Sequence, residues 1–220
     1  MPSTSSTPSR AAPTLVIGDR QLSSWSLRAW ILLKHLGVAF EEVNLRLDTP
    51  EFEKRIGAYS PTRRVPVLLD GGLTVWDSLA ICEYANELSG GRGWPEEPAA
   101  RAHARAISAE MHSGFEALRT QWPMQAASVL HVPLDPAGLA DVARIDALWQ
   151  DALGRHGGAG PWLFGRYSIA DAMYAPVVLR FNTYGAELSP AASRYVATTL
   201  SDPCIKAWLA GAQAELAARP

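Results

Sequence analysis

The sequence has little cysteine and no long apolar run, and each absence excludes a class of protein. Only two cysteines, Cys82 and Cys204, occur in 220 residues. Two are too few for a disulfide framework, a four-thiolate zinc site or an iron–sulfur cluster, and they suit a reducing compartment such as the cytoplasm. No segment approaches about 18 uninterrupted apolar residues, so the sequence predicts no membrane span.

An excess of charge of one sign is also missing. Twenty Lys and Arg stand against 22 Asp and Glu, for a formal net charge of −2, which argues against nucleic-acid binding through a basic surface. No histidine has metal-ligand spacing with a cysteine or an acidic pair, so we expect no metal. Residues 1–13 are rich in Ser, Thr and Pro without an apolar segment, which predicts a disordered leader rather than a secretory signal.

The first third of the chain alternates between short β-branched runs and apolar residues at helical spacing. Strands are predicted at Thr14–Ile17, 40–45, 65–69 and 73–76, and helices at Ser24–Leu36, from 49–51 onward and at 77–88. The Asp-Gly-Gly sequence at 70–72 predicts a hairpin turn. The order β-α-β-α-β-β-α over residues 14–88 predicts a mixed four-stranded sheet covered by helices, the thioredoxin-like arrangement.

Residues 89–98 contain three glycines and two prolines, which predict a linker. The remainder, 99–220, has helical spacing of apolar residues almost throughout. Helices are predicted at 99–121, Pro136–His156, Ile169–Tyr184, 191–200 and 203–218. The fold class is therefore α/β plus all-α: a thioredoxin-like domain followed by a helical bundle domain.

Two predicted helices begin with residues suited to anions. Ser23 and Ser24 lie where the first strand passes into the first helix, and Asp77 and Ser78 open the third helix. The first N–H groups of a helix lack intrahelical partners, and the helix dipole favours negative charge there. These residues are therefore either ordinary helix caps or donors to a bound anion.

A third feature is Pro66 at the start of a predicted strand. Proline cannot donate to a sheet and is common at a strand's first residue. The other interpretation is a cis peptide bond before Pro66, which would leave the backbone N–H and C=O of Val65 free to bind a ligand.

Four segments together resemble glutathione transferases. They are 23–28 (SSWSLR), 60–68 (SPTRRVPVL), 77–84 (DSLAICEY) and 162–171 (WLFGRYSIAD). In the last segment the resemblance implies that Ser168 and Asp171 form a capping box at a buried helix. The resemblance covers about residues 14–215, and among subclasses it is nearest to the serine-using, zeta-like bacterial transferases.

The resemblance implies a role for each motif in binding glutathione as co-substrate. Ser23 would donate a hydrogen bond to the sulfur and favour its thiolate, although the adjacent Ser24 leaves open which hydroxyl points at the sulfur. The backbone of Val65 would bind the cysteinyl part, next to a cis Pro66. The ends of glutathione would be held by Arg64, Asp77 and Ser78.

The electrophile would lie between the two domains, against Trp25 and against residues of the first bundle helix: Met111, His112, Phe115 and Arg119. Met111 and Phe115 suit core packing equally well, and His112 suits a structural or pocket-wall role. Trp25 stands where the zeta subclass has cysteine, and Leu27 stands where it has tryptophan. These departures count against maleylacetoacetate isomerisation, the zeta activity.

The resemblance therefore predicts a cytoplasmic, homodimeric glutathione transferase that conjugates glutathione to small hydrophobic electrophiles in detoxification. The alternatives are a glutathione-dependent isomerase of maleylacetoacetate type, a dehalogenase using the same site, or a non-catalytic binding or regulatory protein of the same fold. A thiol reductase is disfavoured because Ser23 stands where that chemistry needs cysteine.

Overall fold

The first part of the protein is a four-stranded sheet with the strand order β2-β1-β3-β4. The computed structural model describes residues 11–158 and 160–218. Strand β1 (Thr14–Ile17) is parallel to β2 (Glu41–Asn44) and antiparallel to β3 (Val67–Asp70), which pairs with β4 (Leu73–Val75). The helices of this part are α1 (Ser24–Leu36), α2 (Pro50–Arg55) and α3 (Ser78–Leu88), with a 3₁₀ turn over Ile56–Ala58. The predicted thioredoxin-like order is confirmed.

The second part is built of helices, as predicted. They are α4 (Pro98–Ser113), α5 (Glu116–Gln121), α6 (Pro136–His156), α7 (Ile169–Tyr184), α8 (Pro190–Ser201) and α9 (Pro203–Ala217). Four of these begin with proline, whose fixed φ suits the first helical turn and whose missing N–H has no intrahelical partner there. None of the helices in the described residues is both long and apolar enough to cross a membrane.

Helix α1 lies at the centre of the molecule and joins the two parts. It packs against α3 of the sheet domain and against α7 of the bundle, so its residues from Ser26 to Leu33 are all buried. Gly37 ends the helix with a φ of 68°, a left-handed conformation that costs glycine no steric penalty. Burial on both sides fixes the position of the α1 N-terminus, which faces the cleft between the domains.

Helix α7 is buried along its length, and its N-terminus holds a buried carboxylate. Asp171 Oδ2 accepts hydrogen bonds from the Ser168 N–H at 2.8 Å and the Ser168 hydroxyl at 2.9 Å. Its Oδ1 accepts from the Leu163 N–H and the Tyr195 hydroxyl, both at 3.1 Å. The capping box implied by the resemblance is present. Burial raises the pKa of Asp171 to about 6, against the hydrogen bonds to its carboxylate, which lower it.

The predicted single helix over 99–121 is wrong in two respects. It begins one residue earlier, at Pro98, because the Glu97 carboxylate caps the Ala99 and Ala100 N–H groups; Pro98 is thus not part of the linker. It is also interrupted after Ser113. Gly114 is extended, where a Cβ would lie 2.8 Å from the Glu110 carbonyl oxygen, and Phe115 has a φ of 59°. The chain therefore turns before α5.

Smaller differences concern strand ends and the predicted leader. Strands β2, β3 and β4 are one or two residues shorter than expected at one or both ends, and β3 extends to Asp70. Of the predicted leader, residues 1–10 lie outside the described residues. Pro13 is buried, and its carbonyl accepts a hydrogen bond from the Glu41 N–H at 2.8 Å. Pro13 thus belongs to the folded domain rather than to the leader.

Candidate active site

The N-terminus of α1 carries a pair of hydrogen-bonded serine hydroxyls. Ser23 is the N-cap, and its Oγ accepts from the Ser26 N–H at 3.3 Å. The Ser23 hydroxyl donates to Ser26 Oγ at 2.7 Å, and Ser26 Oγ also accepts from the Gly18 N–H at 3.1 Å. Ser23 is only 5% exposed. Ser23 therefore serves as the cap of α1, and it is not among the residues that line the cavity described next.

A cavity of about 680 Å³ lies beside this helix end and brings most of the predicted binding residues together. Arg64, Val65, Pro66, Asp77 and Ser78 all line it. The remaining lining residues come from both domains: Trp25, Thr62, Trp76 and Arg119. Residues separated by more than 50 positions in the chain thus face one space, which we call the main cleft.

The turn into β3 forms one wall of the main cleft. The peptide bond between Val65 and Pro66 is cis, as the resemblance implied. Pro66 is buried, whereas Arg64 is exposed at the mouth of the cleft, and its N–H donates to Ser60 Oγ at 3.2 Å. Val65 lies outside the paired register of β3, so its backbone takes no part in the sheet at this edge.

The start of α3 forms the facing wall. Asp77 Oδ1 accepts hydrogen bonds from the Leu79 and Ala80 N–H groups at 3.1 and 3.5 Å, which makes Asp77 the helix cap. Ser78 is fully buried, and its Oγ has no hydrogen-bond partner among the described residues. An unpaired buried hydroxyl is costly, and Ser78 leaves a donor and an acceptor unused at the wall of the main cleft.

His112, on α4, is not among the residues that line the main cleft, but it contacts two residues that do. His112 Nε2 lies 2.9 Å from Asp77 Oδ2, and its ring meets the Trp25 ring edge-on at 5.3 Å. His112 therefore links the bundle to the start of α3. Met111 and Phe115 are 0% and 8% exposed and belong to the core, lining neither this cavity nor the chamber described next. The prediction is corrected for these two: Met111 lies on the buried side of α4, and Phe115, in the turn before α5, packs into the core.

A second chamber of about 420 Å³ adjoins the main cleft, sharing Trp25 and Arg119 with it. Its other lining residues are Ser24, Ser113, Glu116, Thr120 and Arg180. Ser24 thus faces this chamber, whereas Ser23 is turned toward Ser26. Arg119, predicted for the electrophile site, lines both spaces, whereas the sequence analysis did not predict Thr62, Trp76 or Arg180 as site residues. One sign of a special role for Arg180 is visible in the sequence: it is a lone arginine within the apolar run of α7.

Two guanidinium groups contact the Trp25 ring, and a third, that of Arg180, lines the second chamber together with Trp25. The Cζ atoms of Arg28 and Arg119 lie 4.3 and 4.6 Å from the Trp25 ring centroid. Burial, followed by the charges of Arg180 and Arg119, lowers the pKa of Arg28 to about 9. Burial, followed by the charge of Arg119, lowers the pKa of Arg180 to about 10. The region beside the α1 N-terminus is therefore electropositive.

One set of potential metal ligands meets in space although its spacing gave no sequence signal. Ligand atoms of His35, Asp202 and Cys204 lie within 4.8 Å of one another. Asp202 Oδ1 already accepts hydrogen bonds from the Cys204 and Ile205 N–H groups. The carboxylate thus serves as the cap of α9, and burial raises the pKa of the Cys204 thiol, which disfavours the thiolate that a metal needs.

Comparisons with known proteins agree with the geometry. Residues 22–88 match the family model of the glutathione S-transferase N-terminal domain, and residues 98–211 match that of the glutathione S-transferase C-terminal domain. The maleylacetoacetate isomerase of Rattus norvegicus is 30% identical over 183 residues, which cover 81% of this chain and 82% of that protein.

Two solved structures have the same fold. A glutathione transferase homolog from Burkholderia, solved with bound glutathione, has a TM-score of 0.71 at 24% identity, covering 93% of this chain and all of that chain. The theta class glutathione S-transferase of Xanthomonas axonopodis pv. citri has a TM-score of 0.65 at 23% identity, covering 90% and 97% of the two chains. The resemblance stated from the four sequence segments is confirmed. This chain belongs to the glutathione S-transferase family.

Proposed function

We propose that the protein binds glutathione in the main cleft and transfers its thiolate sulfur to a small electrophile held between the two domains. The observation that carries this proposal is the unpartnered hydroxyl of Ser78, which lines one cavity together with Arg64 and with Val65, a residue outside the paired register of the sheet. Glutathione offers two carboxylates, an amine and a peptide backbone, and these four groups suit the polar walls of the cleft.

Each wall supplies one kind of recognition. The Ser78 hydroxyl and the N-terminus of α3 suit the γ-glutamyl carboxylate, because helix N-termini favour anions. The exposed Asp77 carboxylate suits the γ-glutamyl amino group. The backbone of Val65 suits the cysteinyl peptide, and Arg64 at the mouth suits the glycine carboxylate.

Ser23 is the proposed donor to the sulfur. Serine hydroxyls are both donors and acceptors, so the hydrogen bond between Ser23 and Ser26 can reverse when the two hydroxyl hydrogens rotate. Ser26 Oγ, which accepts from the Gly18 N–H, then donates its hydrogen to Ser23 Oγ. Ser23 then has its hydrogen free for a thiolate. This reversal reconciles the inward hydrogen bond of Ser23 with a role in catalysis.

The pKa of a free thiol is about 8.5, so about 3% is thiolate at pH 7. A hydrogen bond to a charged group contributes about 1.5–3 kcal/mol, and the α1 dipole adds up to about 1 kcal/mol. The hydrogen bond alone thus lowers the thiol pKa by about one to two units. About 24–76% of the bound thiol is then ionised at pH 7. Its proton passes to solvent, the sulfur forms a bond to the electrophilic carbon, and the leaving group departs with its electron pair.

The test is a pH titration of the ultraviolet absorbance of thiolate in the protein–glutathione complex. For the unaltered protein we expect a thiol pKa of about 6.5–7.5. Ser23→Ala should return it close to the free value and lower kcat/KM about 10- to 100-fold. Because Ser23 also caps α1, its unfolding is measured in parallel, with a cost of about 1 kcal/mol expected.

Ser24→Ala is the matched control, one hydroxyl removed at the adjacent residue. A larger effect from Ser24→Ala than from Ser23→Ala would transfer the role to Ser24. Glutathione binding with an unshifted thiol pKa, or no binding, would contradict the transferase proposal and favour a non-catalytic binding or regulatory protein of this fold.

A second candidate is glutathione-dependent isomerisation, favoured by the 30% identity to the rat maleylacetoacetate isomerase. The same thiolate would add to a double bond and leave again after rotation. Assays of maleylacetoacetate and of alkyl and aryl halides, side by side, separate isomerase, dehalogenase and conjugating activity. The homodimer, the cytoplasmic location and the role in detoxification stay predictions. Gel filtration coupled to light scattering tests whether the protein is a homodimer.

A further inference from the structure

The connection between β1 and α1, residues 18–23, is held by the helical bundle from two sides, and we call it the Ser23 loop. We infer that Gln21 and Glu215 are positioning residues of the proposed transfer reaction, because they fix the loop that presents the Ser23 hydroxyl to the glutathione sulfur. This inference rests on the proposed function, since both residues act through Ser23. Neither is among the described residues that line the main cleft or the second chamber.

Gln21 forms the first contact and uses its whole side-chain amide. The residue is fully buried, and its Nε2 donates to Gln125 Oε1 at 3.0 Å and to Ser128 Oγ at 2.9 Å. Its Oε1 accepts from the Ala127 N–H at 2.9 Å, and its backbone carbonyl accepts from the Ala126 N–H at 3.0 Å. Four hydrogen bonds thus join this one residue to the bundle segment between α5 and α6.

The segment that receives Gln21 is itself anchored to α7, the helix that is buried along its length. The Thr183 hydroxyl donates to the Gln125 carbonyl at 2.9 Å, and the Leu130 N–H donates to the Thr183 carbonyl at 2.8 Å. The Tyr184 hydroxyl donates to the Pro123 carbonyl at 2.9 Å. Opening such a bond away from water leaves polar groups unpaired, which is costly. The support of the Ser23 loop is therefore rigid on this side.

Glu215 of α9 forms the second contact. Its Oε2 accepts from the Arg20 N–H at 2.7 Å and from the Gln21 N–H at 3.4 Å. Its Oε1 accepts from Asn44 Nδ2 at 2.8 Å and from Arg20 Nη1 at 3.3 Å. Hydrogen bonds to an ionised acceptor are stronger than those between neutral groups. One carboxylate thus ties two consecutive N–H groups of the Ser23 loop to the end of β2 and to the last helix.

The surface of α9 is shaped to receive Arg20. The Trp208 indole N–H donates to the Arg20 carbonyl at 2.8 Å, and the Arg20 Cζ lies 5.6 Å from the Trp208 ring centroid. A Cβ at Gly211 would lie 2.4 Å from Arg20 Cδ, so a larger residue there would displace this side chain. Trp208, Gly211 and Glu215 follow at spacings of three and four and share one face of the helix. That face therefore holds the loop at position 20.

The hold on positions 20 and 21 is passed directly to Ser23. The Asp19 carbonyl accepts from the Leu22 N–H at 3.2 Å and from the Ser23 N–H at 2.8 Å, so residues 19–23 form one tight turn into α1. A hydrogen bond weakens steeply when its geometry is distorted, and a misplacement of about 1 Å in an active site costs up to about 100-fold in rate. The Ser23 hydroxyl therefore stabilises a thiolate best while the bundle holds this turn.

The experiment measures the thiol pKa of bound glutathione, by ultraviolet titration, in the unaltered protein, Glu215→Ala, Ser23→Ala and the double variant. In Glu215→Ala we expect the thiol pKa to rise by about 0.5–1. With an alkyl or aryl halide that the unaltered protein accepts, kcat should fall about 3- to 10-fold, and the KM for glutathione should stay within about twofold. In the Ser23→Ala background the same substitution should leave the thiol pKa unchanged, because the hydroxyl through which Glu215 acts is absent.

Gln21→Ala breaks the other contact and should raise the thiol pKa likewise. Glu215→Gln keeps an oxygen for the Arg20 N–H, so its thiol pKa should stay within about 0.2 of that of the unaltered protein. Urea unfolding checks each variant. Glu215→Asp, which draws the carboxylate back by one methylene, replaces any variant that does not fold.

Asp146→Ala is the matched control. Asp146 is a half-buried carboxylate, like Glu215, and it accepts hydrogen bonds from the Ser189 N–H and hydroxyl at the start of α8 instead of from the Ser23 loop. Its loss should lower stability without changing the thiol pKa. An equal rise of the thiol pKa in Asp146→Ala would assign the effect to general loosening of the bundle and overturn the inference.

Two further results overturn the inference while the proposed function stands. One is an unchanged thiol pKa in Glu215→Ala and Gln21→Ala beside a raised one in Ser23→Ala. The other is a rise of equal size with and without Ser23, because Glu215 would then act on the sulfur by another route. A rise in one of the two single variants alone removes the positioning role from the other residue. If the unaltered protein does not bind glutathione, or binds it with an unshifted thiol pKa, the proposed function itself fails, and the inference falls with it.

Discussion

Two acidic residues at helix starts, one in each domain, show how differently the domains use the same chemistry. Asp77 caps α3 on the exposed wall of the main cleft, with its side chain 54% exposed. Asp171 lies at the start of α7 and is 1% exposed, with four hydrogen-bond donors around it. The first lines the main cleft and is exposed to solvent, whereas the second is enclosed by hydrogen bonds within the fold. A motif at a helix start thus acquires its role from burial, not from residue type.

The largest effect expected from this comparison is on stability. Asp171→Ala leaves the Ser168 and Leu163 N–H groups and the Tyr195 hydroxyl without an acceptor in the interior, which costs about 2–4 kcal/mol of unfolding free energy. Urea unfolding followed by circular dichroism measures it. Asp151→Ala, which removes an exposed carboxylate of α6, is the control and should change stability by less than about 0.5 kcal/mol. Equal small losses would contradict the structural role of Asp171.

The next largest effect is expected at Ser78, where glutathione affinity should fall without a loss of stability. Ser78→Ala removes a buried hydroxyl that has no protein partner, so the unfolding free energy of the ligand-free protein should stay constant or rise. Glutathione affinity should fall about tenfold, the value of one hydrogen bond to a charged carboxylate. Calorimetric titration and urea unfolding on the same sample give both quantities. A loss of stability with unchanged affinity would make Ser78 a structural residue.

The smallest effect is expected at Met111. Met111→Leu conserves volume in the core and should cost about 1 kcal/mol or less, with kcat/KM for any accepted electrophile within about twofold of the unaltered protein. Steady-state kinetics with two electrophiles of different size checks this. A change in the preference between them would return Met111 to the electrophile site, from which its complete burial removes it.

The polar elements of the sheet domain were predictable because each is local. The Ser23 cap, the strand-start Pro66 and the Asp77-Ser78 pair are recognisable from adjacent residues, and the order of strands and helices follows from the period of the apolar residues. The interruption between α4 and α5 was not predictable in the same way. Apolar spacing continues through 114 and 115, while the turn depends on Gly114 and on the left-handed Phe115.

The sequence by itself determined the two-domain α/β plus all-α fold, the family, and most of the sheet-domain residues that line the main cleft, because capping, turns and periodicity act over a few residues. Only the tertiary structure decided which side chains share a space. It moved Met111 and Phe115 into the core and separated the surroundings of Ser23 from those of Ser24. It also gathered Arg28, Arg119 and Arg180 from three helices near Trp25. Such a charge cluster has no sequence pattern, because its members are brought together by the packing of α1 against α7 and not by their spacing in the chain.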